Sequence, residues 1–341
     1  MKQSVIYTIL LLTIIYSCKP PQKESNPVPA STSTGIYVVN EGNFMAGNGS
    51  VSFYDSSTNT VTQDLFYAKN NKPAGDVCQS LAYYNSQFYL VVNNSSKIEV
   101  LDNNFINTKT IQGFTSPRYI AFTSNTKGYV TDLYGKGVSI LNTSTQTIEK
   151  KIVINYWTEE LVNYQDTIYV TSPSSQYLYL IDGKTEQLKD SINIGYGSSS
   201  IAIDGNNTLW VLCNGNQSLS ILPTLICIDP AKRIVIRTIT SADYSSLASK
   251  IHYNPIDKYM YWIDGDIYRI NTTDQSSAKE IFIAAAGRNF YGLGIKTNNG
   301  DIIVSDAGDY SQRSTIYLYA KNGVERNSFK AGLISGFMLA K

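Results

Sequence analysis

The sequence predicts an all-β chain folded as a seven-bladed β-propeller with four antiparallel strands per blade. Three observations predict it. A phrase of aromatic and β-branched residues recurs seven times, a second phrase ending in Asp or Asn follows each copy, and no stretch of the repeat region has helical periodicity. The first phrase reads Tyr37-Val38-Val39-Asn40, Tyr89-Leu90-Val91-Val92-Asn93, Tyr129-Val130-Thr131-Asp132 and Tyr169-Val170-Thr171-Ser172. It continues as Trp210-Val211-Leu212-Cys213-Asn214, Tyr261-Trp262-Ile263-Asp264 and Ile303-Val304-Ser305-Asp306, with 40 to 52 residues between aromatic anchors. The second phrase ends at Asp55, Asp102, Asn142, Asp182, Asp229, Asn271 and, degenerately, Ala320. Asp and Asn suit the end of a strand because their side chains accept hydrogen bonds from the turn that follows.

A further strand precedes each first phrase, as in Ser80 to Tyr84 or Ser200 to Asp204, and another follows each second phrase, as in Thr147 to Ile154. Four strands per unit of this length argue for a propeller over a sandwich. A blade buries its faces only against its neighbours, so the ring must close. The repeat region starts at Gly35 with a second-type strand, and Gly336-Phe337-Met338-Leu339-Ala340 resembles the innermost strand that the first blade lacks. The C-terminus is therefore expected to complete the first blade and leave no free edge. The recurring aromatics Tyr37, Tyr89, Tyr129, Tyr169, Trp210 and Tyr261 are expected between blades.

The propeller is assigned to residues 35–341. Ahead of it, Met1-Lys2 and an apolar run over residues 5–17 read as a signal peptide, too short for the roughly 20 residues of a spanning helix. Cys18 follows that run and is similar to the lipidated cysteine of a bacterial lipobox, with simple cleavage as the alternative. Residues 18–34 then form a lipidated, Ser/Thr/Pro-rich tether that places the domain in the cell envelope, anchored to the outer membrane and exposed at the surface or facing the periplasm. Removing residues 1–17 takes the net charge from +1 to 0, which gives no electrostatic case for nucleic acid. Three cysteines remain, Cys78, Cys213 and Cys227, with one histidine, His252. The cysteines read as separate buried hydrophobes, and neither a metal site nor any other cofactor is expected.

Strand parity sorts the loops onto two faces. One face carries short polar turns such as Asn85-Ser86 and Asp182-Gly183-Lys184, which are turn chemistry alone. The other carries longer loops with aromatic residues: Phe44, Tyr134, Tyr156, Trp157, Tyr196, Tyr244, Phe290, Tyr291 and Tyr310, with Asn43 and Asn289 among them. These eleven residues are the expected ligand-binding set, because Tyr and Trp combine large contact area with a polar tip. Asn155, Ser198 and Ser199 are expected to add hydrogen bonds. Catalysis is not expected. His252 sits on an innermost strand as a structural residue, and Glu159 and Glu160, adjacent on extended backbone, point to opposite sides. Asp306 and Asp309 match no complete calcium loop.

The repeats resemble those of YncE-like and surface-layer propellers over residues 35–341. The start Asn40-Glu41-Gly42-Asn43-Phe44 on a tethered lipoprotein resembles more specifically the DUF5074 branch of Bacteroidota, which includes BtuG-type surface lipoproteins. That resemblance implies capture of cobalamin or a related corrinoid over the mouth of the ring and its transfer to a TonB-dependent outer-membrane transporter. The rival expectation is a scaffold that docks to a partner protein through the same rim.

Overall fold

The computed structural model describes residues 34–341 except 125 and 245–247. Signal peptide, Cys18 and most of the tether lie outside the described residues. The chain forms seven four-stranded antiparallel sheets, arranged as the repeats predict. Blade one uses both ends of the chain, running outward as Ser335–Ala340, Gly35–Asn40, Ser50–Asp55 and Thr60–Thr62. The other six blades follow in chain order, their innermost strands being Cys78–Tyr84, Pro117–Ser124, Leu161–Tyr164, Ser198–Ile203, Ser249–Asn254 and Phe290–Lys296.

The two recurring phrases have separate physical jobs. Each first-phrase aromatic is buried, from Tyr89, Tyr129 and Tyr261 with no exposed surface to Tyr37 at 6%. The apolar clusters are shared between neighbouring blades rather than held within one. Tyr169, Leu178 and Leu180 of blade four, for example, pack with Ile201, Val211 and Ile226 of blade five. The second-phrase residues cap their turns as expected: Asp55 accepts from the backbone N–H of Ser57, Asn142 from Ser144 and Thr145, Asp182 from Lys184 and Thr185, and Asp229 from Ala231 and Lys232. Those N–H bonds hold the Asp182 carboxyl down at about 2.

Two elements depart from the all-strand expectation, a single 3-10 turn at Gln217–Leu219 and a short helix. Leu65–Asn70 is a short helix after the abbreviated outer strand of blade one. Asp64 caps its start by accepting from the Tyr67 N–H at 3.1 Å, Asn71 ends it at φ 51°, and Leu65 and Phe66 enter the core.

Closure rests on a clasp as well as a strand. The side chain of Asn40, fully buried, donates to the hydroxyls of Ser50 and Ser52, both at 3.1 Å. Its oxygen accepts from the Gly332 N–H at 3.1 Å and from the Ser335 hydroxyl at 2.7 Å. One amide thus ties the first strands of the domain to the end of the strand Glu325–Leu333 and to the closing strand. Truncating it leaves buried partners unsatisfied, at about 1–3 kcal/mol for such a group. Asn40→Ala is expected to lower unfolding free energy by about 2–4 kcal/mol in urea titrations, more than an exposed change such as Asn322→Ala.

Candidate functional site

The innermost strands carry a repeated irregularity. In six blades the pairing register slips near the start of this strand, at Ser335/Phe337, Cys78/Ser80, Pro117/Ile120, Ser198/Ser200, Ser249/His252 and Phe290/Gly292. Blade four does the same through hydrogen bonds: Thr171 accepts from the Glu159 N–H at 3.0 Å and donates its own N–H to Glu160 at 2.9 Å. Each site is a β-bulge, two residues opposite one, which turns side chains that regular pairing would aim elsewhere. Hydroxyls on the second strand support the bulges, accepting from the N–H of Tyr119, Glu160 and Gly292 at Thr131, Thr171 and Ser305.

Seven bulges around one axis make two tiers at the channel mouth. The outer tier is Gly336, Gln79, Arg118, Glu159, Ser199, Ser249 and Tyr291; the inner is Phe337, Ser80, Tyr119, Glu160, Ser200, Lys250 and Gly292. Glu41 joins from the loop after Asn40. A Cβ on Gly336 would stand 2.3 Å from the Glu41 carboxylate, so glycine there lets Glu41 occupy the position.

Three carboxylates and two cations therefore meet at the mouth, Glu159 buried and Glu41, Glu160, Arg118 and Lys250 half-buried. Glu159 is held from both sides: Arg118 grips it with Nε at 2.8 Å and a terminal nitrogen at 2.5 Å, and the Trp157 indole N–H donates to it at 2.6 Å. The third Arg118 nitrogen bonds Gln79. Glu160 turns the other way, accepting from the Ser200 hydroxyl at 2.7 Å and the Ile201 N–H at 3.2 Å. The adjacent glutamates thus face opposite neighbouring blades, Glu159 toward blade three and Glu160 toward blade five. Tyr291 donates to Glu41 at 3.0 Å. Burial pushes the carboxyls of Glu41 and Glu160 above the usual range, against the pull of Lys250. Burial works to lower the Lys250 ammonium, but Tyr119, Glu160 and Glu41 reverse that and raise it, so Lys250 stays charged.

The Lys250 ammonium bonds the Tyr119 hydroxyl at 3.0 Å. Lys250 is in blade six and Tyr119 in blade three, as far apart as two blades of seven can be. The contact is a bar across the axis. Gln79 also donates to the Tyr119 hydroxyl, and Phe337 approaches the Tyr119 ring at 6.4 Å.

The eleven expected residues divide around this mouth. Phe44 and Tyr134, each 70% exposed, stand free at the rim, with Met45, not foreseen, at 79%. Tyr310 is exposed and meets Tyr291 edge-on at 5.7 Å, next to the mouth. Trp157 is half-buried and points inward through its bond to Glu159. Tyr156 is exposed but stacks on Tyr179 of the third strand of its blade, away from the axis. Tyr196 and Tyr244 are half-buried. The amides of Asn43 and Asn289 are spent on the loops, donating to the carbonyls of Tyr310 and Gly308. Exposed Asn155 and half-buried Ser199 keep some surface, whereas buried Ser198 accepts from the Ser172 N–H. Phe290 is a correction: it precedes the bulge, so its ring turns into the core between blades six and seven, with 6% exposed.

Sequence reasoning missed Gln79, Arg118, Tyr119 and Lys250, and it singled out Glu41 and Glu160 without placing them at the channel. Their signal is a polar or charged residue immediately ahead of the apolar run of an innermost strand, as in Arg118-Tyr119-Ile120 and Lys250-Ile251. Among the described residues no group of three or more His, Cys, Asp or Glu could hold a metal ion. Cys78, Cys213 and Cys227 are free and buried. Asp306 accepts from the N–H groups of Asn289 and Gly308, and Asp309 from Ser311, so both serve loops.

His252, on the innermost strand of blade six, bonds the backbone of Leu293 in blade seven, and burial followed by the Lys250 charge lowers its pKa from 6.5 to about 4. The unfolded chain therefore binds a proton between these values that the folded chain refuses. Stability from this group is undiminished above pH 6.5 and falls as pH drops toward 4, by at most about 3 kcal/mol. Denaturant titrations of His252→Gln from pH 7 to pH 4.5 should show a shallower acid loss than the parent; parallel curves would place the His252 charge elsewhere.

Comparison with known proteins gives the fold company. A quinoprotein alcohol dehydrogenase-like protein from Bacteroides thetaiotaomicron superposes with TM-score 0.74 at 15% identity, covering 91% of this chain and 78% of that one. A candidate 6-phosphogluconolactonase from Bacteroides uniformis gives TM-score 0.70 at 12% identity, covering 90% and 99%. Hydrazine synthase of Kuenenia stuttgartiensis gives 0.63 at 17%, covering 70% and 76%. At such identities the likeness is one of fold. No curated protein matches the chain. Residues 34–331, nearly the whole propeller, match the family described as "Domain of unknown function (DUF5074)", and the chain belongs to that family.

Proposed function

We propose that this protein is a cell-envelope binding protein, not an enzyme, that holds a large, partly planar amphipathic ligand over the channel mouth. The observation that carries this is the pairing of an exposed aromatic rim with a floor closed by hydrogen bonds. Phe44, Tyr134 and Tyr310 are exposed on one face, while Tyr119–Lys250 and Arg118–Glu159 shut the channel beneath them. That combination is a dish, suited to a ligand with apolar faces and polar edges. A cobalamin or related corrinoid has this chemistry: its faces would lie against Tyr310, Tyr291 and Trp157, and its amides would find Asn155, Ser199 and loop backbone. With Cys18 lipidated, such a protein would sit at the outer membrane and hand the ligand to a TonB-dependent transporter.

The carboxylates at the mouth do not argue for catalysis. Glu159 has both oxygens committed to Arg118 and Trp157, and Glu160 and Glu41 are directed to opposite sides of the axis. A second reading, docking to a partner protein through the same face, is favoured by one observation. Phe44 and Met45 project side by side as the most exposed apolar pair on the rim, and such pairs anchor protein contacts.

Titration of the soluble domain with cyanocobalamin, followed by tryptophan fluorescence and calorimetry, tests the first reading. Saturable binding is expected, with Trp157→Ala and Tyr310→Ala each weakening it by about 1 kcal/mol or more. Phe44→Ala should weaken it comparably if the ligand reaches the outer rim. Absence of binding at micromolar ligand would leave the docking reading in front. Unchanged affinity in all three variants would mean that another face is used.

A further inference from the structure

The bar across the axis leaves a second space below it. This cavity has a volume of about 400 Å³ and runs from the inner bulge tier toward the short-turn face, where Pro255 and Thr297 stand just beyond their strands. Its walls are mainly apolar, with Val162, Ile201, Ile203, Ile251 and Phe337. Its inner end carries Lys250, Glu160 and Tyr119.

The hydrogen-bond accounting at that end is incomplete in a particular way. The Lys250 ammonium has three N–H donors and, among the described residues, gives one, to Tyr119. Glu160 receives Ser200 and Ile201 on one carboxylate oxygen and, among the described residues, nothing on the other. No ion pair within 4 Å joins Lys250 to Glu160 or Glu41 among the described residues. Two opposite charges thus face one cavity with capacity to spare, too far apart to satisfy each other. Both residues are half-buried and line the cavity, so their remaining hydrogen-bonding capacity is directed at whatever occupies it. Lys250 also holds a φ of 57°, a left-handed backbone that costs a residue with a side chain about 1 kcal/mol or more and persists where surroundings impose it.

We infer that the channel below the bar is a second binding site, for a free apolar α-amino acid whose carboxylate meets Lys250, whose ammonium meets Glu160 and whose side chain lies along the apolar wall. A zwitterion suits this end better than either single charge. It supplies both missing partners at once and adds no net charge to the three carboxylates and two cations already there. The site opens on the face opposite the aromatic rim, so it does not depend on what the rim holds.

Calorimetric titration of the intact soluble domain with L-leucine, 3-methylbutylamine and 4-methylpentanoate tests the assignment. L-leucine should bind saturably, and the amine and the acid, each lacking one charge, should bind at least about tenfold more weakly. Lys250→Met should remove the preference for L-leucine over the amine, and Glu160→Gln the preference over the acid. Should Lys250→Met fail to fold, as circular dichroism would show, Glu160→Gln with the three ligands still decides. No saturable heat from L-leucine or L-phenylalanine up to about 10 mM would overturn the proposal, as would equal affinity for the zwitterion and either half.

Discussion

The pairing of Ser335–Ala340 with Gly35–Asn40 is the contact on which the rest of this molecule depends. Every apolar cluster lies between blades, so a ring with one gap would leave two blade faces in water. The closing strand is innermost, and this gives it a second consequence. It brings Gly336 and Phe337 to the channel, and the same closure pins Glu41, whose N–H donates to Ile334 at 2.9 Å. Closing the ring and placing a carboxylate at the mouth are one event. The clasp at Asn40 immediately precedes Glu41, so the end of the chain that seals the core also sets the geometry of the charged network.

The bulges answer a geometric problem set by that closure. Seven strands converging on an axis bring their first residues close together, and regular alternation would aim every second side chain into the crowded core. One extra residue per strand lets an apolar neighbour stay in the core while a polar one turns to the channel. Where the side chain would collide, the chain uses none: glycine stands at Gly292, where a Cβ would be 2.6 Å from the Ser335 carbonyl, and at Gly336 beside Glu41. The supporting hydroxyls of Thr131, Thr171 and Ser305 occupy equivalent places in the first phrase, so part of that phrase encodes the bulge and not the strand.

This explains what could be read from the sequence and what could not. The aromatic anchors and the Asp/Asn turn residues act locally, each through its own neighbours, and they appear in the sequence at regular spacing. Seven blades, the closing strand and the two faces follow from them. The channel network depends on a one-residue slip that leaves no local signature, and a slip of one exchanges the two sides of a strand. Phe290 shows the result: counted as a rim aromatic by strand parity, it falls on the core side, and Tyr291 takes the channel. Glu159 and Glu160 do point apart, but at a bulge ahead of the strand Leu161–Tyr164 and not along regular extended backbone. That their partners are Arg118 and Ser200, each 40 or 41 residues away, depends on the ring. Tyr156 was sorted to the right face but not to the right direction, since its contact with Tyr179 is made within its own blade.

The bar between Tyr119 and Lys250 gives the channel two unlike ends. On the rim side Arg118 spends its guanidinium on Glu159 and Gln79, and Tyr291 donates to Glu41. The large amphipathic ligand proposed for the rim would meet aromatic surface and loop dipoles there, above an Arg118–Glu159 pair already made. On the far side the walls are apolar but the end is not, because Lys250 and Glu160 keep unspent hydrogen-bonding capacity. A small ion with both signs of charge fits that end and would find nothing comparable at the rim. One hydrogen bond across the axis, made possible by a strained lysine in blade six, therefore separates two recognition problems within a single ring.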